Sequence, residues 1–156
     1  MKISVYSIGK SNILFVKEAE AYYTRKIRHY TKFELIRQEA KRSWGTNAES
    51  IQKAERDLIL RSSAQADRLI LLDERGEHLS SKELATYIAQ LQNESVRHSM
   101  WVIGGAYGFH PDFYTNSQKM ISLSRLTFSH PLARIIVLEQ LYRAFTILHN
   151  HPYHHD

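Results

Sequence analysis

Apolar and polar positions along this chain fall into short blocks whose period changes from strand-like to helix-like and back. Residues 2–8 (KISVYSI) hold Ile3, Val5 and Ile8 in an extended run, which predicts an opening strand. A helix follows to about residue 29, with Ser11 as its candidate cap and Leu14, Ala19, Tyr22 and Tyr23 along it. Residues 33–36 predict a second short strand. A polar stretch over 39–46 carries Lys41, Arg42 and Trp44, and Asn47 then caps a helix to about residue 63. RLILL at 68–72 is the continuous apolar run of a buried parallel strand. Ser80 and Glu83 have capping-box spacing and open a helix to about residue 93. MWVI at 100–103 predicts the next buried strand, a short helix follows Pro111, and residues 120–123 predict the last strand. His130-Pro131 then starts the final helix, with proline at its first position.

Strands separated by helices imply an α/β fold: one mostly parallel sheet flanked by helices, in a single domain of 156 residues. The final helix carries Leu132, Ile135, Ile136, Leu138, Tyr142 and Phe145, more apolar circumference than one contact face needs. Core burial accounts for part of that surface, and a dimer interface would account for the rest.

Composition narrows the chemistry. With no cysteine, a disulfide scaffold, a thiolate metal site and a Cys nucleophile are excluded. No run of 18 apolar residues exists, so no spanning helix is expected. The apolar start is short and leads directly into Lys10, Ser11 and Asn12, which fits a strand rather than a signal peptide. The net charge of +5 is uneven. Residues 1–75 hold 15 Lys/Arg against 10 Asp/Glu, while residues 76–156 hold 6 and 6. A basic half attracts polyanions such as RNA, although a solvated surface has the same composition.

Two glycine segments follow strands, where open α/β sheets bind ligands: LLDERG at 71–76 and IGGAYG at 103–108. Neither is GxGxxG or a P-loop, which disfavours a nucleoside triphosphatase or a standard dinucleotide enzyme. Each also fits a plain strand-to-helix turn. LSRLTFSHP at 123–131 joins the last strand to the last helix, and Leu126 and Phe128 could serve it as packing residues. The tail, HNHPYHHD, has four histidines in seven residues but no zinc-like spacing, so no metal is expected.

Together LLDERG, VIGGAYG (102–108), LSRLTFSHPLARIIVLEQLYRAF (123–145) and NHPYHH (150–155) resemble one family, the ribosomal RNA large-subunit methyltransferase H family of the SPOUT (α/β-knot) superfamily. The resemblance spans the chain and is most specific in its C-terminal half. It implies a single SPOUT domain with a deep C-terminal trefoil knot, which strand counting could not have derived because chains ordinarily do not knot. It further implies a cytoplasmic homodimer that uses S-adenosyl-L-methionine to methylate N3 of a pseudouridine in helix 69 of 23S rRNA, within the assembled ribosome.

Carried over residue by residue, the resemblance has Leu72 and Gly104 flank the cofactor and Leu123, Ser124, Arg125, Leu126, Thr127 and Phe128 wrap its adenine and ribose. Gly105 and Gly108 shape the same turn. In the family, a Tyr-His pair followed by a basic residue enters the active site. Tyr153 and His154 match, and His155 stands where Arg or Lys is expected. Arg143 matches a position that supports substrate engagement. His154 could take the N3 proton or only orient the base, and Tyr153 could stack on it or pin the tail. Arg143 could instead pair with Glu139 at i,i+4. Helix 1 and the Lys41 to Trp44 loop are candidate rRNA contacts. Two rival readings are a non-catalytic RNA-binding or ribosome-assembly factor, which would have no cofactor affinity, and a small-molecule methyltransferase.

Overall fold

The computed structural model describes residues 1–9, 11–39, 44–115 and 119–154. Strands and helices alternate: β1 (Lys2–Ile8), α1 (Leu14–Arg28), β2 (Lys32–Gln38), α2 (Ala48–Ser62), β3 (Arg68–His78), α3 (Ser81–Asn93), β4 (His98–Ile103), α4 (Asp112–Thr115), β5 (Lys119–Ser122) and α5 (His130–Leu148). The strands form one sheet in the order β2-β1-β4-β3-β5, and every neighbouring pair is parallel.

Period-two alternation sorts the strand side chains onto two faces. Ile3, Val5, Ile70, Leu72, Trp101 and Ile103 pack with Ile27 of α1, Leu84 and Ile88 of α3, and Val137, Leu141 and Phe145 of α5. The intervening Tyr6, Ile8, Leu71, Met100 and Val102 pack on the other face with Ile59 of α2 and Phe113 of α4. The α/β architecture expected from the sequence is therefore the one that forms, with helices on both faces.

The predicted caps are made where a side chain reaches an orphan amide. Asn47 accepts the Ser50 N–H at 2.8 Å, and Ser80 and Glu83 exchange the two bonds of a capping box. Ser11 is different: its hydroxyl accepts the Ile13 N–H at 3.3 Å in the turn before α1, and the helix begins only at Leu14.

The 71–76 segment is also not a strand-to-helix turn. β3 continues to His78 and pairs with β5 twice, through Ile70 to Leu72 and again through Glu77 and His78, with a register slip between. Residues 73–76 bulge out of the ladder. Gly76 lies where the β5 backbone crosses: a Cβ there would sit 2.5 Å from the Ile121 nitrogen. Close approach, not a turn, is what requires glycine at this position.

Ser7 faces the α1/α5 side and meets an arginine. Arg134 of α5, 1% exposed, donates to Glu20 of α1 at 2.7 Å and to the Ser7 hydroxyl and Gly9 carbonyl at 3.1 Å each. Arg37 of β2 holds the other Glu20 oxygen at 2.6 Å. This cluster pins both helices at the carboxyl end of β1. On the remainder of α5, Leu132 is exposed and Ile135, Ile136 and Tyr142 are only partly covered. Among the described residues, no helix is long and apolar enough to cross a membrane.

Candidate active site

The β3 bulge, the carboxyl end of β4 and the segment after β5 border a cavity of about 680 Å³. Leu72, Gly104, Leu123, Ser124, Leu126, Thr127 and Phe128 all line it, as do Gly105 and Gly108. Arg125 does not. The Ser124 hydroxyl accepts the Leu126 N–H at 2.9 Å, and this tight turn leaves Arg125 on the solvent side. Ile103 and Ala133 add to the apolar part of the wall, and His130 brings an imidazole to it. The Nδ1 of His130 and the Nη2 of Arg134 are buried without a hydrogen-bond partner among the described residues. Burial, and then the Arg134 charge, hold His130 below the usual histidine value.

The glycines of the second segment answer to different neighbours. A Cβ on Gly104 would come within 3.2–3.3 Å of the Phe109 ring, so its small size seats that ring under the turn. A Cβ on Gly105 would run into the carboxyl of Glu55, which rises from α2 on the sheet's other face. Gly108 has φ +72°, the left-handed region that favours glycine. Gln52, one helical turn before Glu55, donates to the Tyr107 carbonyl at 2.7 Å. Glu55 is only 4% exposed, and burial pushes its carboxyl up to about 7, with the Gly105 N–H offsetting part of the rise.

A second latch ties the two glycine segments together. The Tyr114 hydroxyl of α4 donates to Asp73 at 2.8 Å and accepts the Phe109 N–H at 3.3 Å, while Arg75 lies over its ring at 4.5 Å. Burial, and then Asp73, push the Tyr114 phenol above its ordinary value.

The other three expected site residues gather elsewhere, at the far end of α5. Arg143 pairs with Glu139 through Nη2 and Nε at 2.6 and 3.0 Å, the i,i+4 pair read from the sequence. Its guanidinium also lies over the Tyr153 ring at 4.9 Å, and its Nη1 is 3.4 Å from His154 Nδ1. The Tyr153 hydroxyl donates to Glu139 at 3.2 Å, and the ring packs edge-on to Tyr142. Burial, with Tyr23 and Glu139 nearby, pushes the Tyr153 phenol well up. The tail is thus seated on its own chain as far as His154. His155 and Asp156 lie outside the described residues, as do Lys41 and Arg42 of the candidate rRNA loop. Trp44 from that loop packs against the α2-side core. Among the described residues, no group of three or more His, Asp or Glu is arranged to hold a metal.

Sequence reasoning passed over Glu55, Gln52, Tyr114 and His130. An acid in the middle of a charged helix reads as solvated surface, and no local signal marks Glu55 as buried. The one available cue was Gly105 itself, since a second glycine beside Gly104 needs a neighbour that crowds it.

Residues 1–154 match the family model described as "Predicted SPOUT methyltransferase". The ribosomal RNA large subunit methyltransferase H of Geotalea uraniireducens (strain Rf4) is 44% identical over 155 residues, covering 99% of this chain and 100% of that protein. The protein of the same name from Geobacter sulfurreducens (strain ATCC 51573 / DSM 12127 / PCA) is 40% identical over 155 residues, with the same two coverages. The crystal structure of TrmJ from Z. mobilis ZM4 is a distant likeness, with a TM-score of 0.47 at 13% identity over 93% of this chain and 69% of that one.

Proposed function

The chain belongs to the ribosomal RNA large subunit methyltransferase H family of SPOUT methyltransferases, and from that premise we propose that it methylates N3 of a pseudouridine in helix 69 of 23S rRNA, within the assembled ribosome. One observation carries the reading to residues. Seven of the eight expected cofactor contacts, scattered from Leu72 to Phe128 in sequence, converge on one cavity at the strand ends.

The cavity suits S-adenosyl-L-methionine. Its volume lies within the usual ligand-site range, about 300–1,000 Å³. Leu72, Ile103, Leu123, Leu126 and Phe128 offer an apolar slot for an adenosyl group, and the backbone at 104–108 and 123–128 offers donors and acceptors. When bound, the cofactor supplies an electrophilic methyl group. The chain's own residues must hold the uracil ring in line and let its N3 proton leave. Positioning of this kind contributes up to about 7–11 kcal/mol. In this reading Arg143 and Tyr153 present the RNA, and His154 takes the N3 proton or orients the base.

Those three residues do not reach the cavity of their own chain in this reading. α5 rises about 1.5 Å per residue, so Arg143 lies roughly 20 Å along the axis from His130 at the cavity wall. A second copy with its α5 antiparallel to the first would carry its tail to that cavity. The exposed Leu132, the half-covered Ile135 and Ile136, and the exposed Ile13, Leu14 and Phe15 at the start of α1 are apolar surface suited to such a homodimer. The C-terminal trefoil knot belongs to the same reading, in which β5 passes close beneath the 73–76 bulge.

Mass spectrometry of 23S rRNA from cells lacking the protein tests the activity. The expected result is loss of one methyl group from a helix 69 pseudouridine. An unchanged methylation pattern, or purified protein without affinity for S-adenosyl-L-methionine in calorimetry, overturns the assignment and favours an assembly factor.

A further inference from the structure

We propose that Glu55 is a positioning residue of the cofactor pocket: seated on α2 beneath the second glycine segment, its carboxylate fixes the backbone of the 104–105 turn and so the cavity wall that turn forms. The inference rests on the pocket reading above and adds to it a residue from the opposite face of the sheet.

The geometry is specific. A Cβ on Gly105 would lie 2.0–2.4 Å from the Glu55 carboxyl atoms, so the carboxyl keeps its seat only against a glycine. Against the burial that raises the carboxyl, the Gly105 N–H is the influence that favours its charged form. Gln52 grips the same segment from the same helix face, through the Tyr107 carbonyl at 2.7 Å and the Phe109 carbonyl at 3.4 Å. α2 therefore sets a carboxyl against one end of the segment and a donor on the other. Gly104 and Gly105 both line the cavity, so a shift of this turn changes the wall directly.

Few charges compete for Glu55. Tyr6 of β1 is the titratable group coupled to it, and it is a buried phenol raised mainly by desolvation. Arg56, the next residue, is held by Asp57 at 3.0 Å and by Asp112 of α4 at 2.5 Å. Arg61, further along α2, acts on Tyr6. From the 104–109 segment the Gly105 backbone is what acts on it. With no cation paired to it among the described residues, the carboxyl changes charge near neutral pH. The charged form accepts the Gly105 N–H more strongly, so the turn is held best above the midpoint. Cofactor affinity should then rise with pH through this range. His130, at the opposite wall, titrates below its ordinary value and forms a background that a Glu55 variant leaves in place.

The experiment is a calorimetric titration of the full-length protein with S-adenosyl-L-methionine at several pH values, for wild type and Glu55→Gln, paired with amide NMR of the ligand-free proteins. Wild type should bind roughly fivefold more tightly at about pH 8 than at about pH 6, the difference between charged and neutral acceptors. Glu55→Gln should flatten that slope to the His130 background. The Gly105 amide of wild type should shift with a midpoint near 7, and in the variant it should not. An identical pH slope in Glu55→Gln, or a Gly105 amide indifferent to pH in wild type, overturns the proposal. Absence of cofactor binding by wild type at every pH would instead overturn the pocket reading, and the NMR titration would still test Glu55.

Discussion

Removing the Glu20 carboxylate should cost the fold more than any surface charge change. Glu20 and Arg134 have side chains 3% and 1% exposed, 2.7 Å apart, on α1 and α5. Truncating one member of such a pair leaves the other as an uncompensated buried charge, which costs about 3–5 kcal/mol. Arg134 would keep Ser7 and Gly9 as acceptors, but neither carries charge. Glu20→Ala would also release Arg37, whose side chain is 43% exposed and can rehydrate, so its loss adds little. At 2–4 °C per kcal/mol, Tm should fall by roughly 6–20 °C. The double variant Glu20→Met with Arg134→Leu removes both charges and should recover most of the loss. Urea denaturation of Glu20→Met, Arg134→Leu and the double gives the coupling energy directly. A single-variant cost below about 1 kcal/mol, or an additive double variant, would show that the pair contributes no net coupling and refute the argument.

Three further outcomes follow from other parts of the structure. The folded protein holds the Glu55 proton up to about 7 against an ordinary value of 4.5, so wild-type stability should fall as pH rises between those values and level off above them. Glu55→Gln should abolish that fall and be about 3 kcal/mol more stable at about pH 8; parallel stability–pH curves for the two proteins would contradict it. Gly76→Ala forces the β5 backbone away from the bulge and should cost about 1–3 kcal/mol in denaturant titrations, whereas a neutral result would mean the crossing relaxes freely. Mixing a chain deleted for residues 153–156 with a Gly104→Val chain, whose added methyls would press on Phe109, should restore methylation that neither homodimer has. Failure of the mixture, with each partner folded and dimeric, would place the tail on its own chain's cavity.

Much of this fold could be read along the chain because its signals are local. The alternation of Ile3 and Val5 with Tyr6 and Ile8 is the two-core arrangement in miniature, and the Asn47 and Ser80 caps act within one helical turn. The cavity residues were found by likeness to a family, not by periodicity, and Arg125 shows the limit of carrying a contiguous motif over whole. What stayed hidden depends on distant partners. Glu20 and Arg134 are 114 residues apart, and each alone looks like a solvated helical charge. Glu55 becomes legible only when Gly105 is placed beside it. The extension of β3 past Gly76 needed β5 as a template, since residues 73–78 have too little apolar patterning to predict a strand.

The two-point attachment of β5 to β3 has a mechanical outcome. Strand β5 is fastened on both sides of the 73–76 bulge, and residue 123 begins directly after it. The floor of the cavity is therefore continuous with the sheet and cannot swing away as a flap. An aperture for exchanging ligands comes from the parts outside that ladder: the 73–76 bulge, the exposed Leu126 rim and the half-open Tyr107 corner. Turnover in this fold would be governed by the movement of a few rim side chains across a rigid basin.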